Sequence, residues 1–183
     1  RLVARGFETS ELTVLENMGG EQEVKTTFAA NCVPDKVWSP LNTLAVHCHA
    51  SPHAKILSRI PGLPDDAFEH DGKITKREVR AATLAALCPA PDQLLWDIGA
   101  GSGAVAIEWM RGTRGCEAIA IEHNTERCVV IARNADQLGT PRLEVVAQAA
   151  PDGLKDLPRP DAIFIGGGID TVNASAVSSS SFI

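Results

Sequence analysis

Residues 94–103 read Leu-Leu-Trp-Asp-Ile-Gly-Ala-Gly-Ser-Gly, a short apolar run interrupted by one acid and followed at once by glycine at every second position. A run of that length with a glycine boundary predicts a buried strand, Leu94 to Ile98, and a tight turn after it. Alternate glycines let the backbone reverse sharply and approach a ligand closely, and a helix is expected to open out of them over Ser102 to Met110. Strand, turn and helix in that order restrict the chain to architectures in which a helix packs back on its own sheet. The alternation continues toward the C-terminus. Glu117 to Ile121, Leu143 to Val146 and Ala162 to Ile165 read as strands, the last running into Gly166-Gly167-Gly168, and Thr125 to Leu138 reads as a helix ended by Gly139 and Pro141. In that helix Cys128, Ile131, Ala132, Ala135 and Leu138 share one face. The expected fold class is α/β, with right-handed crossovers and a parallel sheet.

Upstream, Thr75-Lys76-Arg77-Glu78 has the spacing of a capping box, so a helix is expected from Lys76, with Val79, Ala82, Thr83, Ala86 and Leu87 as its apolar stripe and Cys88-Pro89 as its end. Ile60 to Asp66 gathers two prolines, a glycine and two acids, the composition of a linker or of a loop between domains, and a domain boundary is placed there. Before it, Leu12 and Val14 alternate with polar neighbours as in a strand closed by Gly19-Gly20, Glu21 to Ala30 reads as a short helix, and Asn42 to Cys48 as a second strand. These elements are too few for an independent core. The stretch 171–183, with four consecutive serines, has no helical or strand register and is expected to be a disordered or foreign tail. The 183 residues open on Arg rather than Met, so the numbering is expected to begin inside a longer protein.

The net charge of −6 offers no footprint for a nucleic-acid backbone or an anionic membrane, and no apolar run approaches the ~18 residues of a membrane span. The five cysteines contain no C-x-x-C pair, which predicts reduced thiols in a cytoplasmic protein, and His47, His49 and His53 match no standard metal-ligand spacing. No metal is expected.

Glu122 follows the second strand of the α/β region about 20 residues past the glycines, where a carboxylate can accept the hydroxyls of a ribose. Dinucleotide and S-adenosylmethionine sites share that arrangement, and Gly99, Gly101 and Ala104 also satisfy G-x-G-x-x-G/A, so the glycines leave both open. Asp97 favours S-adenosylmethionine, whose sulfonium and ammonium would gain from a nearby acid, whereas a pyrophosphate would be repelled. Gln148-Ala149-Ala150-Pro151 is a small-residue loop suited to pass beside an adenine ring. Thr75 reads equally as a helix cap, and Gly166 to Gly168 equally as a strand end.

Residues 64–79, Pro-Asp-Asp-Ala-Phe-Glu-His-Asp-Gly-Lys-Ile-Thr-Lys-Arg-Glu-Val, together with Trp96-Asp-Ile-Gly-Ala-Gly-Ser-Gly103, resemble the methyltransferase-decarboxylase half of the precorrin-6Y C(5,15)-methyltransferase family of cobalamin biosynthesis. The resemblance covers about residues 60–168. It implies a Rossmann-like sheet, incomplete at its C-terminal end, over 60–170, with residues 1–59 similar to the end of a preceding tetrapyrrole methylase domain. It further implies S-adenosylmethionine held by Thr75, by Gly99, Ala100, Gly101, Ser102 and Gly103, by Glu122 and by Ala150. Ala149 stands where relatives often carry an acid. The implied reaction methylates carbons of precorrin-6B and removes carbon dioxide from an acetate side chain to give precorrin-8, and it requires no catalytic base, so no catalytic residue is assigned. The substrate's carboxylates make Lys73, Lys76, Arg77 and Arg80 candidate partners, with Gly166 and Gly167 bordering the macrocycle. Relatives imply a tetramer. An NAD-binding oxidoreductase domain and a non-catalytic fragment are the competing expectations.

Overall fold

Leu12 and Val14 form the buried side of strand β1 (Glu11–Glu16) in the computed structural model, which describes residues 2–166. The chain divides between Leu57 and Ser58 into two compact units. In the first, β1 is the central strand of an antiparallel sheet, flanked by β2 (Val24–Ala29) and β3 (Asn42–His47). The helix expected over Glu21 to Ala30 is therefore a strand. Glu21, Gln22 and Glu23 are good helix formers, but Val24, Thr26, Thr27 and Phe28 are β-branched or aromatic and suit a pleated surface. Thr13 and Thr27 meet directly across the β1–β2 pair, their hydroxyls 3.0 Å apart.

The second unit is an α/β layer. After α1 (Arg77–Leu87), strand β4 (Leu94–Ile98), helix α2 (Ala104–Gly112), strand β5 (Glu117–Ile121), helix α3 (Thr125–Leu138), strand β6 (Glu144–Val146) and strand β7 (Ala162–Ile165) succeed one another in order. The sheet runs β6-β5-β4-β7, every pair parallel, with Ile98 opposite both Ile121 and Ile165. The chain moves outward from β4 through β5 to β6 and then returns to the far side of β4. The strand order thus reverses at the carboxyl end of β4, the position at which open α/β sheets bind ligands.

Period-two alternation sorts the faces. Leu95 and Asp97 of β4 and Ala118 and Ala120 of β5 lie on one face, and the small alanines let α2 pack closely there with Ala106, Ile107 and Trp109 fully buried. Ile98, Ile119 and Ile121 centre the other face, with half-buried Trp96, Ala150, Leu154, Leu157 and Ile163 against them. Helix α2 starts two residues later than expected because Gly99, Gly101 and Gly103 all take positive φ (73°, 59° and 75°), which no helical residue does.

Two expectations from the sequence change. The apolar stripe assigned to α1 is not its buried face: Val79 is 58% exposed, Ala82 and Ala86 are exposed, and the helix instead buries Arg80 and Leu84. The stretch 60–66 is not a free linker. Leu63 is buried, the Gly62 and Leu63 N–H groups donate to the Glu108 carboxylate at 2.5 and 3.0 Å, and Asp65–Ala67 forms a short 3-10 turn. Gly167, Gly168 and the serine-rich stretch lie outside the described residues.

Candidate functional site

Each turn of chain at the end of β4 is held by a specific bond. Gly99 and Ala100 donate their N–H groups to the Ile121 carbonyl at 2.8 and 3.2 Å, and Gly103 donates to Ala100 at 2.8 Å. A Cβ on Gly101 would stand 2.9 Å from the Lys73 carbonyl oxygen, and one on Gly103 2.9 Å from Ile131, so positive φ and close approach both demand glycine there. Glu122 is 3% exposed. Its Oε2 accepts from the Gly101 N–H at 3.0 Å, and its Oε1 accepts from the Asn124 N–H at 3.0 Å and lies 3.2 Å from His123 Nδ1. Asn124 in turn caps α3 by accepting from the Arg127 N–H at 3.1 Å. The carboxylate is thereby locked between the glycine turn and the start of α3, with acceptor capacity left on Oε2 for an incoming hydroxyl.

Gly99, Ala100, Gly101 and Glu122 line a cleft of about 740 Å³. Of the residues the sequence singled out, Thr75, Gly99, Ala100, Gly101, Glu122, Gln148, Ala149, Ala150, Lys73 and Gly166 border it. Ser102 and Gly103 do not: both are buried behind the turn, Gly103 as the N-cap of α2. Thr75 is not a cap, since α1 begins after Lys76 with no side-chain capping bond. Its hydroxyl is not committed to the helix, and its carbonyl accepts instead from Arg80 Nη1.

Lys76 and the cations of α1, Arg77 and Arg80, do not border the cleft. Lys76 lies 3.7 Å from Asp65, and Arg77 runs beside Gly62. Arg80, expected either to meet substrate anions or to lie in solvent, is completely buried. It bonds Glu108 at 2.7 Å, Asp65 at 3.1 Å, the Leu63 carbonyl at 2.5 Å and the Thr75 carbonyl. The reason is charge: a guanidinium with five donors is the group that can satisfy two carboxylates and two carbonyls converging from different segments.

Asp97 also differs from expectation. It does not border the cleft but caps α2, accepting from the Ala106 N–H at 3.1 Å, while its Oδ1 is buried without a partner among the described residues. Burial pushes its carboxyl up from 3.8 to about 7, opposed by the Ala106 N–H and assisted by the nearby Glu122 charge.

Sequence reasoning passed over Ile98, Ile121, Gly72, Ile74 and Arg127, which also border the cleft, as does His123, read from the sequence as a surface residue beside Glu122. Arg127 had a readable signal, since it stands one turn into a helix whose cap is two residues past Glu122. Its guanidinium bonds Asp71 at 2.8–2.9 Å. Among the described residues, no helix is long and apolar enough to cross a membrane.

A parallel sheet with this strand order, a glycine turn at its reversal point and a buried acid at the next strand end define a Rossmann-like α/β domain of the methyltransferase class. A family described as Precorrin methyltransferase domain matches residues 66–181, and the chain belongs to it. A precorrin-6Y C(5,15)-methyltransferase [decarboxylating] from Sinorhizobium sp is 52% identical over 167 residues, which are 91% of this chain and 40% of that protein. A probable cobalt-precorrin-6B C(15)-methyltransferase (decarboxylating) from Pyrobaculum calidifontis is 35% identical over 59% of this chain and 57% of that one. Among solved structures, the C-terminal domain of precorrin-6Y C5,15-methyltransferase from Rhodobacter capsulatus is 47% identical, with a TM-score of 0.61 over 67% of this chain and 65% of that one. The chain spans well under two thirds of the length of its curated relatives.

Proposed function

We propose that the second unit holds S-adenosylmethionine over the Gly99–Gly103 turn and methylates carbons of a precorrin macrocycle, with loss of carbon dioxide from an acetate side chain, in cobalamin biosynthesis. The observation that carries the reading is Glu122, a buried carboxylate fixed 3.0 Å from the Gly101 N–H on the wall of the cleft. In this reading Glu122 accepts the ribose hydroxyls, Gly99, Ala100 and Gly101 pass beneath the nucleoside, and Thr75 and Ala150 flank it. Ser102 and Gly103 support the turn from behind. S-adenosylmethionine supplies, when bound, an electrophilic methyl group on a cationic sulfonium. The chain's own residues align the reactants and exclude water, which is catalysis by proximity, and the nucleophile is a carbon of the substrate. Of the candidate cations, Lys73 borders the cleft, and it is assigned to a substrate carboxylate, with Gly166 at the rim.

A dinucleotide fits less well. The first free N–H groups of a helix attract phosphate, but at α2 the Ala106 N–H already serves the Asp97 carboxylate. The names of the relatives, methyltransferases of precorrins that also decarboxylate, support the macrocycle and the decarboxylation. The same reading makes residues 1–59 the end of a tetrapyrrole methylase domain and the protein a cytoplasmic tetramer.

Calorimetric titration tests the cofactor. S-adenosylhomocysteine should bind and NAD should not, and Glu122→Ala should weaken the first about tenfold or more, the loss of charge-assisted hydrogen bonds. NAD binding as tightly as S-adenosylhomocysteine, or no effect of Glu122→Ala, would overturn the assignment. Turnover of precorrin-6B is measured on the full-length protein, by methyl incorporation and carbon dioxide release.

A further inference from the structure

One wall of the cleft is the segment 69–75, of which Gly72, Lys73, Ile74 and Thr75 border the cleft and whose Lys73 carbonyl packs against the glycine turn at Gly101. This segment belongs to no helix or strand. Side chains hold its backbone: Gly72 N–H donates to His70 at 3.1 Å, Lys73 N–H to Asp71 at 3.0 Å, and the Thr75 carbonyl accepts from Arg80. At its start the anchor is Asn134. That side chain is completely buried in α3, its Oδ1 accepting from the Glu69 N–H at 2.8 Å and its Nδ2 donating to the Glu69 carbonyl at 2.9 Å. The same Nδ2 donates to the carbonyl of Ser102 at 3.0 Å, in the middle of the glycine turn. An asparagine amide has two donors and one acceptor oxygen, and here both peptide groups of Glu69 and one from the turn engage it. Leucine or alanine at this position of an apolar helix face would pack, but only an amide can serve an N–H and two carbonyls together.

We infer that Asn134 is a positioning residue for the nucleoside cleft, tying the glycine turn to the 69–75 segment so that the two keep one spacing where they border the cleft. The ion pairs Arg127–Asp71 and Arg133–Glu69, both at 2.8 Å, run from the same helix to the same segment at the exposed edge. They are screened by solvent and leave the spacing to the buried amide. The inference rests on the reading that the cleft takes S-adenosylmethionine only for its ligand readout.

The test uses the whole chain with two readouts, amide hydrogen exchange without ligand and calorimetric affinity for S-adenosylhomocysteine. The Glu69 N–H should be protected in the wild type. In Asn134→Ala that protection should vanish, and in both Asn134→Ala and Asn134→Asp, which keeps an acceptor for the Glu69 N–H but loses the donors to Glu69 and Ser102, exchange at Gly101 to Gly103 should quicken and the Kd should rise about tenfold. Leu138→Ala, a buried change elsewhere on α3, serves as a control that lowers the melting temperature and should leave the Kd within about twofold. Asn134 variants that melt early yet bind as the wild type does would overturn the inference. So would a wild-type Glu69 N–H that exchanges freely, a result that needs no variant to fold. If the wild type does not bind S-adenosylhomocysteine, the cofactor reading fails, and exchange at Gly101 to Gly103 in Asn134→Ala still decides the coupling: quickened supports it, unchanged overturns it.

Discussion

Asp97 and Glu122 sit at the ends of adjacent parallel strands and take opposite roles. Glu122 reaches the cleft and keeps open acceptor positions, whereas Asp97 faces α2 and has one oxygen with no partner among the described residues. With its carboxyl pushed up to about 7, the folded chain retains a proton that the unfolded chain gives up near 3.8. The stability tied to Asp97 is therefore complete below about pH 4 and declines as the pH rises to about 7, by about 1.4 kcal/mol per unit within that window. Asp97→Asn keeps an oxygen for the Ala106 N–H and should remove this decline. In urea denaturation the variant should gain on the wild type from about pH 5 to about pH 8. A constant difference across that range would place an ordinary carboxylate at position 97.

Helix α1 shows how an element can be legible in extent and misread in orientation. Its end at Cys88 was readable from Cys88-Pro89, and its start shifted by a single residue. The small apolar residues at three and four spacings suggested an inward stripe, but the buried face carries Arg80, whose guanidinium joins Glu108 of α2, Asp65 and two carbonyls. Local periodicity counts apolar side chains and cannot register a cation that is neutralised from other segments. Arg80→Met would leave Glu108, 2% exposed, without its counter-charge, and should destabilise the fold by about 3–5 kcal/mol in urea denaturation. Adding Glu108→Gln should restore part of that loss, because a neutral amide buries no charge and its single oxygen still accepts from one of the two N–H groups, Gly62 or Leu63, that the carboxylate served. A loss below about 1 kcal/mol for Arg80→Met would mean a solvated arginine.

At the scale of the whole molecule, every residue bordering the cleft falls in the second unit. Saturating S-adenosylhomocysteine, at about a hundred times its Kd, should add about 2.7 kcal/mol to that unit's stability. The accompanying slowing of hydrogen exchange should map to 72–75, 98–101, 121–123 and 148–150. Protection confined to 11–47 would locate the ligand elsewhere. The strands of the α/β unit, the glycine turn, the strand-end acid and the family were all legible in the sequence, because each depends on a few adjacent residues: a β-rich run, a backbone that only glycine allows, a carboxylate at a set distance. The β2 strand, the burial of Arg80, the bond from Arg80 to the Thr75 carbonyl, the cap formed by Asp97 and the three bonds of Asn134 were decided by tertiary structure alone. Each of these joins groups from 5 to 65 positions apart in the chain, and a polar group's partner at such separations is chosen by which segments the fold brings together and not by its neighbours in sequence.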